Sequence, residues 1–383
     1  MSIAAQAPPL FIGLMSGTSL DGVDGVLAAF PPASVGAAAQ TLASVHVPFP
    51  ADVRDALLAL QSSGPDEIHR EAMASIALTR LYGAAVAELL EQARLLPGQV
   101  RAVGVHGQTI RHRPELGYTR QVNQPALLAE LAGIDVIADF RSRDVAAGGQ
   151  GAPLVPAFHQ ALFGNAGEAR VVLNIGGIGN LSILPASASA AAVTGFDTGP
   201  GNVLMDGWIM RHRQQRYDDN GAWAASGKPF PALLQRLRDE PFFALPPPKS
   251  TGRDLFHMAW LDDRLAALPP ADAADVQATL AAFTAGTIAD AIATHAASAN
   301  AVYVCGGGAR NGHLLRQLTA ALATHGHPST VRTTDALGIA PDQVEALAFA
   351  WLASRFDRRQ PGNLPAVTGA RGLRILGALY PAH

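Results

Sequence analysis

Apolar and polar positions divide the first third of the chain into a hairpin, a long helix and a short strand. Apolar runs lie before residues 16–18 and over 23–30, so two strands joined by a polar, glycine-containing turn are predicted. An apolar stripe with helical spacing covers about 66–95 and is closed by Pro97–Gly98. The segment VRAVGVHGQTI then predicts a buried strand that ends in a polar loop at 106–109.

The same order of elements returns in the second half. Residues 171–184 have the pattern of strand, glycine-rich turn and strand. A helical pattern follows over about 275–297, and residues 301–311 predict a strand that ends in a glycine loop. Two copies of one element order predict a duplicated α/β fold, and a cleft between two such halves is a natural place for a ligand.

The boundary between the predicted domains falls in a stretch rich in glycine and proline, about 141–159. Such a composition is typical of a crossing between domains. The first domain is therefore predicted over 1–145 together with a C-terminal segment of about 350–383, and the second over 146–349.

Composition and charge narrow the class of protein. The chain has 383 residues, of which 49% are hydrophobic and 15% charged, and this favours two packed domains over disorder. The formal net charge of −3 gives no electrostatic reason to expect a nucleic acid partner. The single cysteine, Cys305, excludes an internal disulfide or a zinc cluster and favours a reducing compartment. Since neither a signal peptide nor a membrane span is expected, a cytoplasmic protein without membrane contact is predicted.

Common nucleotide-binding motifs are missing. A Walker A loop fails around Lys228, because Ala222 stands where its first glycine is required and Pro229 follows the lysine. The H-R-D and D-F-G motifs of protein kinases do not occur, and no G-x-G-x-x-G joins a first strand to a helix.

Three glycine-rich turns, each after an apolar strand, form the candidate nucleotide site instead. In the first, Gly17 and Gly22 flank hydroxyl residues and Asp21. Glycine lets backbone N–H groups approach phosphate oxygens, and Asp21 is suited to hold Mg²⁺ through water. Gly176–Gly177 and Gly306–Gly308 mark the other two turns. A lone turn of this kind is more simply a hairpin without a ligand, but three together indicate the phosphate-clamping plan of actin/hexokinase-like proteins.

Asp197 is the candidate general base. It stands between an apolar residue and a Gly-Pro-Gly turn, where a carboxylate at a strand end is well placed for proton transfer. An Asx-turn, or the N-cap of a helix over the following VLMDGWI segment, explains the same pattern equally well.

Two further segments suit a hydroxylated, acidic sugar. His106, Gln108 and Thr109 share one polar loop, although a hydrogen-bonded loop histidine is the simpler reading of His106 alone. Arg141 is able to grip a carboxylate in a bidentate way, unless it forms a salt bridge in a linker between domains. A helix over about 341–356 carries Glu345 near its N-terminal end, where a carboxylate is also favoured as a cap.

Eight segments, taken together, resemble one family, the 1,6-anhydro-N-acetylmuramic acid kinases. The resemblance runs from Gly13 to Ala370 and thus covers nearly the whole chain. The segments are GLMSGTSLDGVD, VGVHGQTIRHRP, ADFRSRDVAAGGQGAPLVP, LNIGGIGNL, GFDTGPGN, VCGGGARN, DQVEALAFAWLA and GNLPAVTGA. The fold that the resemblance implies is a duplicated actin/hexokinase-like (ribonuclease H-like) α/β fold of two domains with a central cleft.

The resemblance also implies a reaction, in which ATP, water and the anhydro sugar give N-acetylmuramic acid 6-phosphate and ADP, with Mg²⁺ required. Asp197 would be the base and Glu345 would help hold the water. The implied nucleotide-binding residues are Ser16, Gly17, Thr18, Ser19, Leu20, Asp21, Gly22, Val23, Gly176, Gly177, Asn180, Gly306, Gly307, Gly308 and Asn311. The implied sugar-binding residues are His106, Gln108, Thr109, Arg141 and Asn202. A homodimer and a place in recycling of cell-wall peptidoglycan are further implications.

Two alternatives remain open at this point. Another sugar or carboxylate kinase of the same superfamily would share the phosphate turns without needing both the HGQT and FDTGPGN segments. An actin-like filament protein or a sugar-sensing repressor would bind its ligand without catalysis, and the repressor would need an N-terminal helix-turn-helix module, which is not expected here.

Overall fold

The computed structural model describes residues 7–17, 19–31 and 39–383. They form two compact units: unit 1 runs up to Leu162 and resumes over Gln343–His383, and unit 2 is Phe163–Asp342. The predicted boundaries, at 145/146 and about 350, differ from these. The glycine-rich stretch after residue 146 lies with unit 1, because the backbone N–H of Gly151 donates to Asp144 in the same unit over 2.9 Å.

Strands and helices alternate along the chain. The strands are β1 (Leu10–Met15), β2 (Gly22–Ala29), β3 (Gln40–Pro48), β4 (Val100–Val105), β5 (Gln108–Arg113), β6 (Tyr118–Val122), β7 (Val136–Ala138), β8 (Arg170–Ile175), β9 (Ile178–Leu184), β10 (Thr194–Pro200), β11 (Ala301–Cys305), β12 (Thr330–Thr333) and β13 (Ala378–Tyr380). The helices are α1 (Ala51–Ala59), α2 (Glu67–Ala93), α3 (Pro125–Ala132), α4 (Ser142–Ala146), α5 (Val155–Phe163), α6 (Val203–Arg213), α7 (Ala222–Ser226), α8 (Pro231–Arg238), α9 (Met258–Leu265), α10 (Ala273–His295), α11 (Gly312–Thr324), α12 (Val344–Asp357) and α13 (Pro365–Thr368).

The two units share one order of five strands. Read from the third strand of each unit, the sheet of unit 1 runs β3-β2-β1-β4-β7, with β13 added beyond β7, and that of unit 2 runs β10-β9-β8-β11-β12. In both, the first hairpin strand pairs antiparallel with its successor and parallel with the strand that follows a long helix. The duplication predicted from the element order is therefore confirmed.

Two glycines allow α12 to pack directly on the sheet of unit 1. A Cβ on Gly13 of β1 would lie 1.9 Å from the carbonyl oxygen of Ala346, and one on Gly104 of β4 would lie 2.2 Å from that of Phe349. Real side chains never approach this closely, so the helix backbone rests on the strands only because both positions lack a side chain.

The predicted polar loop at 106–109 is wrong in its second half, since β5 begins at Gln108 and pairs with β6 in a separate two-stranded sheet. Buried and more exposed side chains alternate over the start of QTIRHR, which is the pattern of a short strand. The histidine and glycine just before it favoured the prediction of a loop.

Two helices, α2 and α10, are long and apolar enough to cross a membrane by length and composition, which the sequence analysis did not anticipate. In their most apolar 18-residue windows, 50% of α2 and 78% of α10 is buried in the protein. Burial in a core accounts for this composition without a membrane.

Candidate functional site

In unit 2, the carboxylate of Asp197 is held from two sides in the middle of β10, and not at a strand end as the sequence predicted. Its Oδ1 accepts from Asn180 Nδ2 at 2.8 Å, and its Oδ2 accepts from the backbone N–H of Thr251 at 2.9 Å. The residue at the N-cap position of α6 is Asn202, so the N-cap reading of Asp197 is wrong. The side chain is fixed but half-buried, as a proton acceptor has to be.

Burial sets the proton affinity of this carboxylate. Loss of hydration raises the pKa of Asp197 from 3.8 to about 6, although the hydrogen bonds from Asn180 and Thr251 lower it in part. The group is thus ionised at neutral pH and still basic enough to take a proton in a transition state.

The loop Lys249–Thr251 is the part of this site that sequence reasoning missed. The backbone N–H of Asp197 donates to the carbonyl of Lys249 at 3.0 Å, so the loop binds both the main chain and the side chain of the aspartate. Lys249 is itself anchored by its Nζ, which donates to the carbonyls of Phe242 and Phe243 at 3.2 Å each. A signal was present in the sequence, because Pro246–Pro248 restrict the backbone just before this loop.

Two glycine turns of unit 2 lie together with Asn202. Its backbone N–H donates to Gly176 O at 2.8 Å and its side chain donates to Ile175 O at 3.2 Å. Gly306 has φ +76°, and a Cβ there would lie 2.3 Å from Asn174 Oδ1. Only glycine permits this close approach of the β11 turn to the β8–β9 hairpin.

Within the described ranges, the buried Oδ1 atoms of Asn174 and Asn180 accept no hydrogen bond. Such unsatisfied acceptors in a polar turn region are suited to a ligand donor. Asn311 is placed differently, because its Oδ1 accepts from Leu314 N at 3.0 Å and so caps α11.

In unit 1, the β1–β2 turn is tied down by Ser16. Its Oγ donates to Gly107 O at 3.2 Å and lies 2.7 Å from the hydroxyl of Tyr82, which donates to it. Burial raises the pKa of Tyr82, so this hydroxyl stays protonated as the donor. Sequence reasoning missed Tyr82, since it lies on the apolar stripe of α2 and gives no polar signal.

The rest of this turn separates into inward and outward positions. Ser19 Oγ donates to Asp21 Oδ1 at 2.7 Å, and both residues are exposed. Leu20, with φ +55°, and Val23 are buried, while Gly22 lies so close to β3 that a Cβ would be 2.5 Å from Val47 O. A Cβ on Gly17 would lie 3.7 Å from Ser19 Oγ, which is an ordinary van der Waals contact. Thr18 lies outside the described residues.

A second polar group in unit 1 centres on Arg141. Its Nε donates to His106 Nε2 at 3.0 Å and its Nη1 donates to Gly151 O at 2.7 Å. Burial, with the charge of Arg141, holds the pKa of His106 well below its usual range, so the imidazole is neutral and accepts through Nε2. Burial also lowers the pKa of Arg141 to about 10, while the negative charge of half-buried Glu345 acts in the opposite direction.

Gln108 and Thr109 lie beside this group at the start of β5. Gln108 is buried, and its Oε1 accepts no hydrogen bond from any described residue. The Oγ1 of Thr109 accepts from Gln121 Nε2 at 3.2 Å, and its carbonyl accepts from Gln61 Nε2 at 2.9 Å.

Asp144, three residues after Arg141, is fully buried. Its Oδ1 accepts from Asn363 Nδ2 at 2.7 Å and from Thr368 Oγ1 at 2.9 Å, and its Oδ2 accepts from Gly151 N. The carboxylate therefore joins the 141–151 stretch to the C-terminal segment and fixes the carbonyl that Arg141 grips. The hydrogen bonds described for the Arg141 side chain go to two neutral acceptors, while the negative charges of Glu345 and Asp144 also act on it.

Among the described residues, no group of three or more histidine, cysteine, aspartate or glutamate side chains is placed to hold a metal. Exposed Asp21 remains the carboxylate best suited to meet a Mg²⁺ ion that arrives with a nucleotide, because such an ion keeps most of its waters.

Two units that repeat one five-strand order, each carrying a glycine turn after its first strand, define a protein of the actin/hexokinase-like class. Residues 9–382 match the sequence model of the family described as anhydro-N-acetylmuramic acid kinase. The chain belongs to this family.

Curated relatives agree with the family match. A protein of Burkholderia lata named anhydro-N-acetylmuramic acid kinase is 59% identical over 378 residues, which covers 99% of this chain and 98% of that protein. A Burkholderia mallei protein of the same name is 57% identical over 389 residues and covers both chains fully.

Among solved structures, an activator of 2-hydroxyisocaproyl-CoA dehydratase from Clostridium difficile with bound ADPNP aligns with a TM-score of 0.47 at 12% identity, over 91% of this chain and 96% of that one. A ROK family glucokinase from Streptomyces griseus in complex with glucose and AMPPNP gives 0.41 at 15% identity, over 90% and 99%. These scores are too low to bear on the fold, which rests on the strand order of each unit.

Proposed function

We propose that this chain is an ATP-dependent kinase that opens the 1,6-anhydro ring of 1,6-anhydro-N-acetylmuramic acid and phosphorylates O6, giving N-acetylmuramic acid 6-phosphate and ADP. Membership of the family, with relatives of this name at 57–59% identity over whole chains, supports the substrate assignment. The observation within the structure that carries the proposal is the environment of Asp197, which suits a general base.

The proposed chemistry couples two bond changes. A water oxygen bonds to the anomeric carbon, the bond from that carbon to the bridging oxygen breaks, and the bridging oxygen takes the γ-phosphoryl group of ATP as ADP leaves. Asp197 takes the proton that the water loses. The phosphoryl group plays the part that a general acid has in ordinary glycoside hydrolysis, so one base suffices. Glu345, half-buried in the first turn of α12, is proposed to help hold the water.

Backbone N–H groups and neutralisation of the phosphate charge are proposed to promote phosphoryl transfer, because this reaction depends on positioning of the reactants more than on covalent catalysis. The supporting residues are the 16–23 turn with its exposed Ser19 and Asp21, the Gly176–Gly177 turn and the Gly306–Gly308 turn. Mg²⁺ enters with ATP as part of the substrate, and Asp21 would reach it through water.

The sugar is proposed to meet His106, Gln108, Thr109, Arg141 and Asn202. The unsatisfied Oε1 of Gln108 suits a hydroxyl donor. Arg141 carries the positive charge that the lactyl carboxylate requires, and its described hydrogen bonds go to the neutral acceptors His106 and Gly151. A cytoplasmic homodimer acting in peptidoglycan recycling is proposed on the family relationship alone.

The test is ADP release with MgATP and 1,6-anhydro-N-acetylmuramic acid, beside free N-acetylmuramic acid and glucose, in ¹⁸O-labelled water. We expect turnover of the anhydro sugar only, with one label at the anomeric hydroxyl and none in the phosphate. Activity on glucose would favour another sugar kinase of the class, and nucleotide binding without turnover of any sugar would favour a non-catalytic actin-like protein.

A further inference from the structure

A pocket in unit 1 collects three arginine side chains away from the residues assigned above. Its volume is about 160 Å³, and it is lined by Arg143, Ala146, Ala147, Arg371 and Arg374. Arg143 lies in α4, whereas Arg371 and Arg374 follow α13. The pocket is therefore formed where the 141–151 stretch meets the C-terminal segment.

No ion pair neutralises the positive charge of this pocket within the described ranges, since none of the three guanidinium groups there pairs with a carboxylate. The hydrogen bonds that Arg371 and Arg374 make go to the carbonyls of Ala146, Leu373 and Arg371. Three unpaired positive charges around one small pocket repel one another, and a bound anion would remove this repulsion.

The backbone is also held in place at two of the three arginines, Arg371 and Arg374. The backbone N–H of Arg371 donates to Ala147 O at 2.9 Å, and that of Arg374 donates to Asn363 Oδ1 at 2.7 Å. Asn363 in turn donates to buried Asp144. Gly148, with φ +83°, leaves room for Arg371, because a Cβ there would lie 2.6 Å from its Nη1. Because the backbone at these positions is already fixed, the protein would lose less conformational entropy when a ligand binds.

This pocket is separate from the proposed sugar site. Arg141 is the N-cap residue of α4 and has helical φ and ψ, and residues two apart in such a backbone point in different directions. Arg143 therefore faces away from Arg141, whose side chain is committed to His106 and Gly151.

We propose that the Arg143–Arg371–Arg374 pocket is a second anion site that binds a phosphoryl dianion. Guanidinium groups are suited to phosphate because they donate paired, charge-assisted hydrogen bonds. A phosphoryl dianion is available both as inorganic phosphate and as the phosphate of a phosphorylated sugar. The site does not depend on the proposed reaction.

The test is isothermal titration of the whole chain with inorganic phosphate, without ATP or sugar, at fixed ionic strength in chloride. We expect saturable binding that weakens by roughly tenfold or more in Arg143→Gln and in Arg371→Gln, since a hydrogen bond to a charged group contributes about 1.5–3 kcal/mol. The matched control is Arg80→Gln, at an exposed arginine of α2, which is expected to bind phosphate as the parent does.

The variants are chosen so that a change in phosphate affinity can be attributed to the pocket. The side chain of Arg143 makes no hydrogen bond to a described residue that its substitution would break. Arg371→Lys keeps the charge but loses the paired geometry, so intermediate affinity is expected. Titration with N-acetylmuramic acid 6-phosphate distinguishes the two sources of the dianion. If this sugar phosphate binds more tightly than inorganic phosphate, and its affinity is lower in Arg143→Gln, the sugar phosphate is identified as the ligand. Absence of saturable phosphate binding, or binding unchanged in both Arg143→Gln and Arg371→Gln, would overturn the proposal.

Discussion

Replacing Asp197 by asparagine is expected to stabilise unit 2 at neutral pH while abolishing turnover. The ionised carboxylate is partly stripped of water, and its pKa is raised from 3.8 to about 6. A group with a raised pKa in the folded state favours folding in its protonated form. Its contribution is therefore complete below pH 3.8 and is lost as the pH rises through about 6.

The magnitude follows from the same shift. A rise of about two pKa units, at about 1.4 kcal/mol per unit, makes the ionised form cost about 3 kcal/mol at neutral pH. Asparagine carries no charge, but its one carbonyl oxygen serves only one of the two donors, Asn180 or Thr251, and its amide faces the other at a cost of about 1 kcal/mol. The net gain for Asp197→Asn is about 2 kcal/mol near pH 7.5 and about zero near pH 4.5.

Urea unfolding followed by tryptophan fluorescence measures this difference. Of the four tryptophans in the chain, Trp208, Trp223 and Trp260 lie in unit 2, so the signal reports mainly on the unit that carries the substitution. The free energy of unfolding of the parent and of Asp197→Asn is compared at about pH 4.5 and about pH 7.5. In parallel, ADP release by the variant is expected to fall by orders of magnitude, with nucleotide binding retained.

Asp262→Asn is the matched control, because pairing with Arg211 lowers the pKa of Asp262 and its substitution is expected to act in the opposite direction. An Asp197→Asn variant that is less stable than the parent at neutral pH, or a difference that does not change with pH, would refute the assignment of a raised pKa. Near-normal turnover would remove Asp197 from its role as base.

Three further substitutions probe single contacts. Asn180→Ala removes a donor that lowers the pKa of Asp197, so the acid limb of kcat/KM is expected to move up from about pH 6 by roughly one unit; an unmoved limb in the pH–rate profile would contradict this. Arg141→Ala is expected to raise KM for the anhydro sugar more than KM for ATP in steady-state kinetics, and an equal rise in both would count against a sugar contact. Gly306→Ala places a side chain at a residue with positive φ and close to Asn174 Oδ1. The free energy of unfolding in urea is therefore expected to fall by about 1–3 kcal/mol, and KM for ATP is expected to rise. If neither value changed, this turn would not be part of the nucleotide site.

Periodicity and glycine placement predicted most of the fold. The helical stripe over about 66–95 is α2, and the pattern over about 275–297 is α10, each within two residues at both ends. The hairpin of each unit was placed correctly, because apolar runs of strand length on both sides of a glycine turn leave few other arrangements. Both patterns involve residues that are close together in the chain, so they can be recognised from the sequence alone.

The support of the site was harder to predict, because it depends on contacts between distant segments. Tyr82 holds Ser16 from 66 positions away, and Asp144 accepts from Thr368 across 224 positions. Neither partner has a pattern that points to the other. The loop around Thr251 acts through its backbone N–H, which every residue except proline possesses, so no side-chain motif marked it.

The direct packing of α12 on Gly13 and Gly104 has a consequence for how the chain is made. Unit 1 draws its last helices and β13 from Gln343–His383, so its sheet lacks this cover until translation is nearly finished. At about 5–20 residues per second, the ribosome needs roughly ten to forty seconds to add everything that follows Leu162. Unit 2, which is one continuous segment, completes its sheet within that interval. The nascent chain therefore carries a finished second half while the apolar face of its first half is still exposed to chaperones and proteases.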